Sequence, residues 1–303
     1  MRLLDKVLDL IIPRKCAGCG KPSEVFCESC ASTSYTPRVA CLFCGQRNHA
    51  GEVCAACKRR SETPLYRVLW AGRYDDELKK AVWALKYEKR KEMAKPLSEL
   101  LARKFFEVYE GSLPAEQFAR HGYFSAEKFL VLAPSRSQGL ANYSPEYSPC
   151  DEKKKSAFQD IAQGDGPSIA TRQQANMHVL KSETSFAVIP IPLHFKKEYE
   201  RGFNQAELLA REFCKITSIP LLTSVLKKTK ETQEQVKVEN KELRLTNLEN
   251  AFSVSLSNPV AKWPTIILID DVSTTGATLT HAGNALKEAG AKNIIGLVVA
   301  HGG

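Results

Sequence analysis

No apolar run approaches the roughly 18 residues that a membrane-spanning helix needs, which excludes a helical span. Two nucleotide signatures are missing as well. There is no G-x-G-x-x-G turn for a dinucleotide and no G-x-x-x-x-G-K-[ST] loop for a nucleoside triphosphate. Cysteine almost vanishes beyond Cys57: only Cys150 and Cys214 follow, so the body of the chain has no disulfide framework. Cys214 falls in a helical apolar pattern and reads as core rather than nucleophile. A secretory leader is a poor fit to the first residues. Leu3, Leu4, Val7, Leu8, Ile11 and Ile12 stand at helical spacing, but Asp5, Lys6 and Asp9 interrupt them. A short amphipathic helix over 1–12 fits better, and the expected address is the cytoplasm.

The 303 residues are 43% hydrophobic, enough for about two domains with a real core. The net charge of +9 suits a polyanionic partner and equally a solvated basic surface. Eight of ten cysteines lie in four C-x-x-C pairs: Cys16/Cys19, Cys27/Cys30, Cys41/Cys44 and Cys54/Cys57. Thiols two residues apart can share one tetrahedral ion, and soft sulfur favours Zn2+. Eight ligands make two closed, structural sites. The segment is an internal repeat, which favours sequential sites, Cys16/Cys19/Cys27/Cys30 and Cys41/Cys44/Cys54/Cys57, over interleaved ones. A segment so poor in core would draw its folding energy from the metal.

Three parts are expected: the 1–12 helix, a zinc module over 13–60, and an α/β domain over 61–303. An insertion at about 111–185, rich in Pro, Ser, Gly, Gln and Lys, interrupts the last part. Within it only Phe129–Ala133 reads as a strand. Elsewhere the patterns predict a strand at 65–70, helices at 74–87 and 96–109, and a strand at 186–192. A cationic loop then carries His194, Lys196, Lys197 and Arg201, followed by a helix with Asn204 and Glu207 as a capping box. Residues 227–250 read as a charged stretch without a strand. A strand 266–269, a helix 277–289 ended by Gly290 and a strand 294–300 make a βαβ unit.

The richest string is Ile266-Ile267-Leu268-Ile269-Asp270-Asp271-Val272-Ser273-Thr274-Thr275-Gly276-Ala277-Thr278. A buried parallel strand delivers two acids to the ligand edge of a sheet. The hydroxyl-rich turn then offers amides and a helix start to a phosphate dianion. Acids for sugar hydroxyls beside a phosphate cradle imply a phosphorylated sugar.

That string resembles the 5-phosphoribosyl-1-pyrophosphate (PRPP) motif of type I phosphoribosyltransferases. The likeness widens with the C-x-x-C pairs, Leu85-Lys86-Tyr87, Pro190-Ile191-Pro192-Leu193 and Arg201-Gly202-Phe203-Asn204-Gln205-Ala206-Glu207. Thr232, Gln235, Arg244, Asn247 and Ala251-Phe252 extend it. Together these are similar to the ComF family of competence proteins and cover nearly all of the chain outside 111–185. The resemblance implies a type I phosphoribosyltransferase fold, a parallel sheet flanked by helices, with an N-terminal double-zinc module. It implies that Asp270 and Asp271 bind the ribose hydroxyls. Ser273, Thr274, Thr275, Gly276, Ala277 and Thr278 would hold the 5′-phosphate, and Arg201, Lys196, Lys197 and Lys86 would face phosphates with Mg2+. Residues 227–235 match a mobile loop, with Lys227 and Lys228 where arginines are common. The same cations also read as ordinary solvated charge.

Two functions are implied. One is binding of PRPP, with phosphoribosyl transfer to an acceptor the sequence does not name; no residue reads as a general base. The other is handling of single-stranded DNA alongside competence proteins in natural transformation, without catalysis.

Overall fold

The computed structural model describes residues 14–22, 24–37, 40–48, 50–109, 186–229, 251–255 and 260–302. The expected 1–12 helix, the 111–185 insertion with Cys150 and the 129–133 strand, and Thr232, Gln235, Arg244 and Asn247 lie outside those residues. The chain divides into two units: Met1–Val108 with Phe186–Gly303, and Tyr109–Ser185. The first holds the cysteine clusters, the sheet and the acid pair.

Its centre is a four-stranded parallel sheet of order β1-β6-β5-β2, from β1 (Arg67–Arg73), β2 (Phe186–Pro190), β5 (Thr265–Ser273) and β6 (Asn293–His301). The apolar runs become strands because the sheet is buried on both faces. Ile266, Ile267, Leu268 and Ile269 are all fully buried although neighbours point to opposite sides. Ile266 and Leu268 join the core of helix α7 (Ala277–Glu288), with Leu279, Ala282 and Leu286. A short antiparallel pair, β3 (Leu226–Lys228) and β4 (Phe252–Val254), lies apart from the sheet.

Four more helices frame the domain: α3 (Asp76–Tyr87), α4 (Ala94–Tyr109), α5 (Phe195–Arg201) and α6 (Gln205–Thr217). Helix α6 begins as its sequence predicts, since Asn204 Oδ1 accepts from the Ala206 amide at 3.0 Å. The other half of the capping box is not made, because Glu207 turns to Arg211. Phe105 of α4 packs edge-on to Phe186 of β2 and Phe213 of α6, with centroids 5.5 and 5.7 Å apart. Truncating such a residue costs about 3–5 kcal/mol.

Local structure departs from the expectations in three places. The cationic loop after β2 is the helix α5, closed by Gly202 in a left-handed conformation. The stretch from Lys227 does contain a strand, because Leu226 is buried and Lys227–Lys228 pair with Ser253 and Phe252. The strand bearing the acids runs on to Ser273, since pairing with β6 continues through His301.

The cysteine repeat folds as two copies of one unit. In each, a C-x-x-C knuckle closes on the same backbone bonds: Gly20 N–H to Cys16 O and Gly45 N–H to Cys41 O. The third cysteine of each copy then starts a short helix, α1 (Glu28–Ser34) or α2 (Ala55–Ser61). Among the described residues no helix is long and apolar enough to cross a membrane.

Candidate sugar-phosphate site and the two metal clusters

Two groups of four thiols form as sequential sets: Cys16, Cys19, Cys27 and Cys30, and Cys41, Cys44, Cys54 and Cys57. In each the sulfurs lie within 4.8 Å of one another. Zinc fits this donor chemistry. Burial opposes ionisation of Cys16, but backbone amides, that of Cys27 at 3.3 Å among them, bring its thiol down to about 6. Cys30 and Cys57 are pushed upward by burial and by the neighbouring sulfurs. Four thiolates this close need a shared dication, and a soft one. Beside the second set, Arg60 Nη2 donates to Cys57 Sγ at 3.5 Å, a contact that steadies a ligand from outside the metal shell.

At the carboxyl edge of the sheet stand Asp270 and Asp271. Strand geometry turns their side chains to opposite faces. Asp271 is buried and paired with Lys86 Nζ of α3 at 2.9 Å. Burial works against the Lys86 charge, but the Asp271 carboxylate and its hydrogen bond, with Asp270 behind, hold the ammonium above its ordinary value. The second oxygen of Asp271, Oδ2, is buried without a hydrogen-bond partner. Asp270 Oδ1 accepts from the Asp271 amide at 2.8 Å. Burial, then repulsion from Asp271, pushes Asp270 up to about 7, against the pull of Lys86 and Lys228. Lys228 is lowered by burial and sits within electrostatic reach of Asp270 and Lys197.

The turn after the acids begins with Ser273, whose carbonyl accepts from the Gly302 amide at 3.0 Å and from His301 Nδ1 at 2.9 Å. That carbonyl puts the imidazole proton on Nδ1, and the ring rests against Trp70. His301 is therefore a brace for the turn. Gly276, at φ 77°, opens α7 in a left-handed conformation that a residue with Cβ resists. His194 caps α5 against Phe195, and its buried Nδ1 has no partner.

The structure thus brings Asp270, Asp271 and Lys86 together, with Lys197 in electrostatic reach through Lys228, and sets Ser273–Thr278 directly beyond them. Arg201 lies over the Tyr87 ring at 5.1 Å, on the neighbouring helix. Lys86 meets a carboxylate here, where the resemblance aimed it at a phosphate. Lys228 was read as part of the 227–235 mobile loop without a partner of its own, and Tyr74 was missed. Tyr74 is raised by burial and feels Lys86 and Asp271. Cys214 is an inert thiol, pushed up to about 12 by burial.

A parallel sheet with this edge, carried beside paired cysteine knuckles, defines a phosphoribosyltransferase-type domain with a zinc-ribbon module. Comparison with known families agrees: the phosphoribosyl transferase domain matches residues 200–303 and the double zinc ribbon domain residues 7–58. Three relatives narrow the class. Competence protein F of Haemophilus influenzae is 36% identical over 126 residues, 42% of this chain and 54% of that protein. Competence protein ComFC of Bacillus subtilis is 37% identical over 105 residues, 35% of this chain and 40% of that one. DNA utilization protein YhgH of Escherichia coli K12 is 22% identical over 287 residues, 93% and 94% of the two chains. The chain belongs to the ComF/YhgH family, although it aligns with only about half of the first two relatives' length.

Proposed function

We propose that the edge of β5 and the turn beyond it bind PRPP with Mg2+. Asp270 and Asp271 receive the ribose hydroxyls, and the amides and hydroxyls of Ser273–Thr278 receive the 5′-phosphate. The observation that carries this reading is the buried Asp271: one oxygen is held by Lys86 and the other has no partner, at the mouth of a phosphate-type turn. A hard oxygen without a partner suits a sugar hydroxyl or the outer shell of Mg2+, which its ligand's oxygens and water would mostly hold.

Transfer would break the C1–oxygen bond to pyrophosphate, leave positive charge on the ribose ring and form a bond from C1 to an acceptor. When bound, Mg2+ neutralises the leaving group. The chain's own contribution is to hold the ribose still and to surround the leaving oxygens with Lys86, Lys197 and Lys228. Asp270, at about 7, gains its charge near neutrality, so affinity for the sugar rises as pH climbs through that range.

Calorimetry with PRPP and Mg2+ is the test. The expected result is saturable, Mg2+-dependent heat and a raised Tm, both lost in Asp271→Asn. That variant leaves Lys86 buried without its anion, so the pair Lys86→Met/Asp271→Asn serves as a folded control. Undiminished stabilisation by PRPP in both variants rejects the site.

A second reading, single-stranded DNA as partner, is favoured by a different surface. Trp83, Tyr87, Phe195 and Tyr199, on α3 and α5, are exposed aromatics, and Arg201 lies over Tyr87. Exposed rings among cations stack bases without regard to sequence. The names of the relatives, competence and DNA utilization, support it. Binding of a fluorescent oligothymidine should fall in Trp83→Ala/Tyr199→Ala, weaken steeply with salt and survive Asp271→Asn.

A further inference from the structure

The two knuckles differ at one place in their repeat. Between its cysteines the first carries Ala17-Gly18, and the second carries Leu42-Phe43. Gly18 has no room for more: a Cβ there would stand 2.9 Å from Cys30 Sγ and 2.9 Å from Glu77 Cβ. Leu42 and Phe43 instead reach across to the start of α7. A Cβ on Gly276 would lie 2.8 Å from Leu42 Cδ2 and 3.0 Å from Phe43 Cε1.

The contact continues down one face of that helix. Thr280 meets Thr63, with hydroxyl oxygens 3.0 Å apart, and a Cβ on Gly283 would stand 2.9 Å from Pro64 Cγ. Residues 276, 280 and 283 follow helical spacing, so the second ribbon and the segment after it lie along a groove of small residues on α7. Leu42 is buried in the same core as Ala277 and Leu279, and Phe43 packs against that core.

We propose that Leu42 and Phe43 are positioning residues for the phosphate-binding turn, and that metal on Cys41, Cys44, Cys54 and Cys57 sets ligand affinity by fixing them. The knuckle presses on the one residue, Gly276, whose left-handed backbone aims the following amides. Among the described residues the first cluster's own contacts run to α3 and β1 instead. This inference rests on the proposed sugar-phosphate site.

The test uses the full chain with zinc loaded. Phe43→Ala keeps all eight thiols, so it should keep its zinc content, measured by atomic absorption. Its affinity for ribose 5-phosphate should fall at least tenfold, while Mg2+-pyrophosphate, which meets the lysines instead, should bind within about twofold of the parent. Phe43→Leu should recover most of the loss. Independently of any ligand, hydrogen exchange of the 275–279 amides should quicken at least tenfold in Phe43→Ala, with α3 unchanged. Unchanged exchange at the turn, or equal loss of both ligands, overturns the proposal. If the parent protein binds no ribose 5-phosphate, the sugar-phosphate reading fails, and the exchange arm still decides whether the knuckle holds the turn.

Discussion

The two zinc ribbons share a fold and a hydrogen-bond pattern, yet they brace different parts of the domain. The first lies on β1, α3 and α4. Thr36 N–H donates to Ala71 O, Lys80 Nζ to Gly18 O at 3.3 Å, and buried Lys104 Nζ to Thr36 O at 2.6 Å. The same lysine pairs with Glu107, which also accepts from the Tyr35 hydroxyl. The second ribbon also bonds to β1, where Val68 N–H donates to Gly51 O and Arg67 pairs with Glu52, and beyond that strand it lies on α7 and the turn that opens it. One duplicated unit therefore supports the helix of Lys86 with one copy and the turn that opens α7 with the other. What separates them is the pair of residues inside the knuckle: small where the neighbour is close, large where a glycine leaves space.

The largest effects should come from the metals themselves. Structural zinc supplies on the order of 10 kcal/mol to a ribbon that has little core of its own. Cys30→Ser and Cys57→Ser should each lose one zinc per chain and lower Tm. The comparison predicts that they part in binding. Cys57→Ser should lose on the order of 100-fold in ribose 5-phosphate affinity, about 2.7 kcal/mol, and Cys30→Ser less than tenfold. Equal losses in calorimetry would erase the distinction between the copies.

A smaller effect isolates the contact from the backbone. Gly20 and Gly276 both have positive φ, 73° and 77°, but a Cβ on Gly20 meets nothing within 4 Å. Gly20→Ala should cost only the left-handed penalty, about 1–2 kcal/mol. Gly276→Ala adds the collision with Leu42 and Phe43 and should cost more in urea unfolding, while also losing ligand affinity.

The smallest effect is a pH dependence that arises within the site. Asp270 is raised, so the native state holds its proton more tightly than the unfolded chain does. The stability this contributes is full below the ordinary carboxylate value and is lost as pH rises to about 7. In the ligand-free protein, Asp270→Asn should therefore change Tm little at pH 4, raise it increasingly up to pH 7 and hold that gain above. A gain that shrinks with pH would mean that Lys86 and Lys228 more than offset the burial.

Much of this was legible in one dimension. The Ile266–Ile269 run, the acid pair and the Ser-Thr-Thr-Gly-Ala-Thr turn read as a strand edge with a cradle because each feature is local: period, branching, turn chemistry. The cysteine spacing read as two metal sets for the same reason. Helix α5 was missed because Lys196, Lys197, Glu198 and Glu200 give seven residues no apolar period. Strand β3 was missed because one buried side chain, Leu226, is too little signal among charges.

Chain order alone determined the two four-cysteine sets, the buried strand and the acid pair at its end, since those depend on residue types a few positions apart. It left open which charge answers which. Only the folded chain set Lys86 on Asp271 across 185 positions, brought Lys228 within electrostatic reach of Asp270, and laid Leu42 and Phe43 on Gly276. Such pairings follow from packing elements distant in sequence into one low-dielectric core, where a buried charge must find a partner and a missing side chain must be filled by a neighbour.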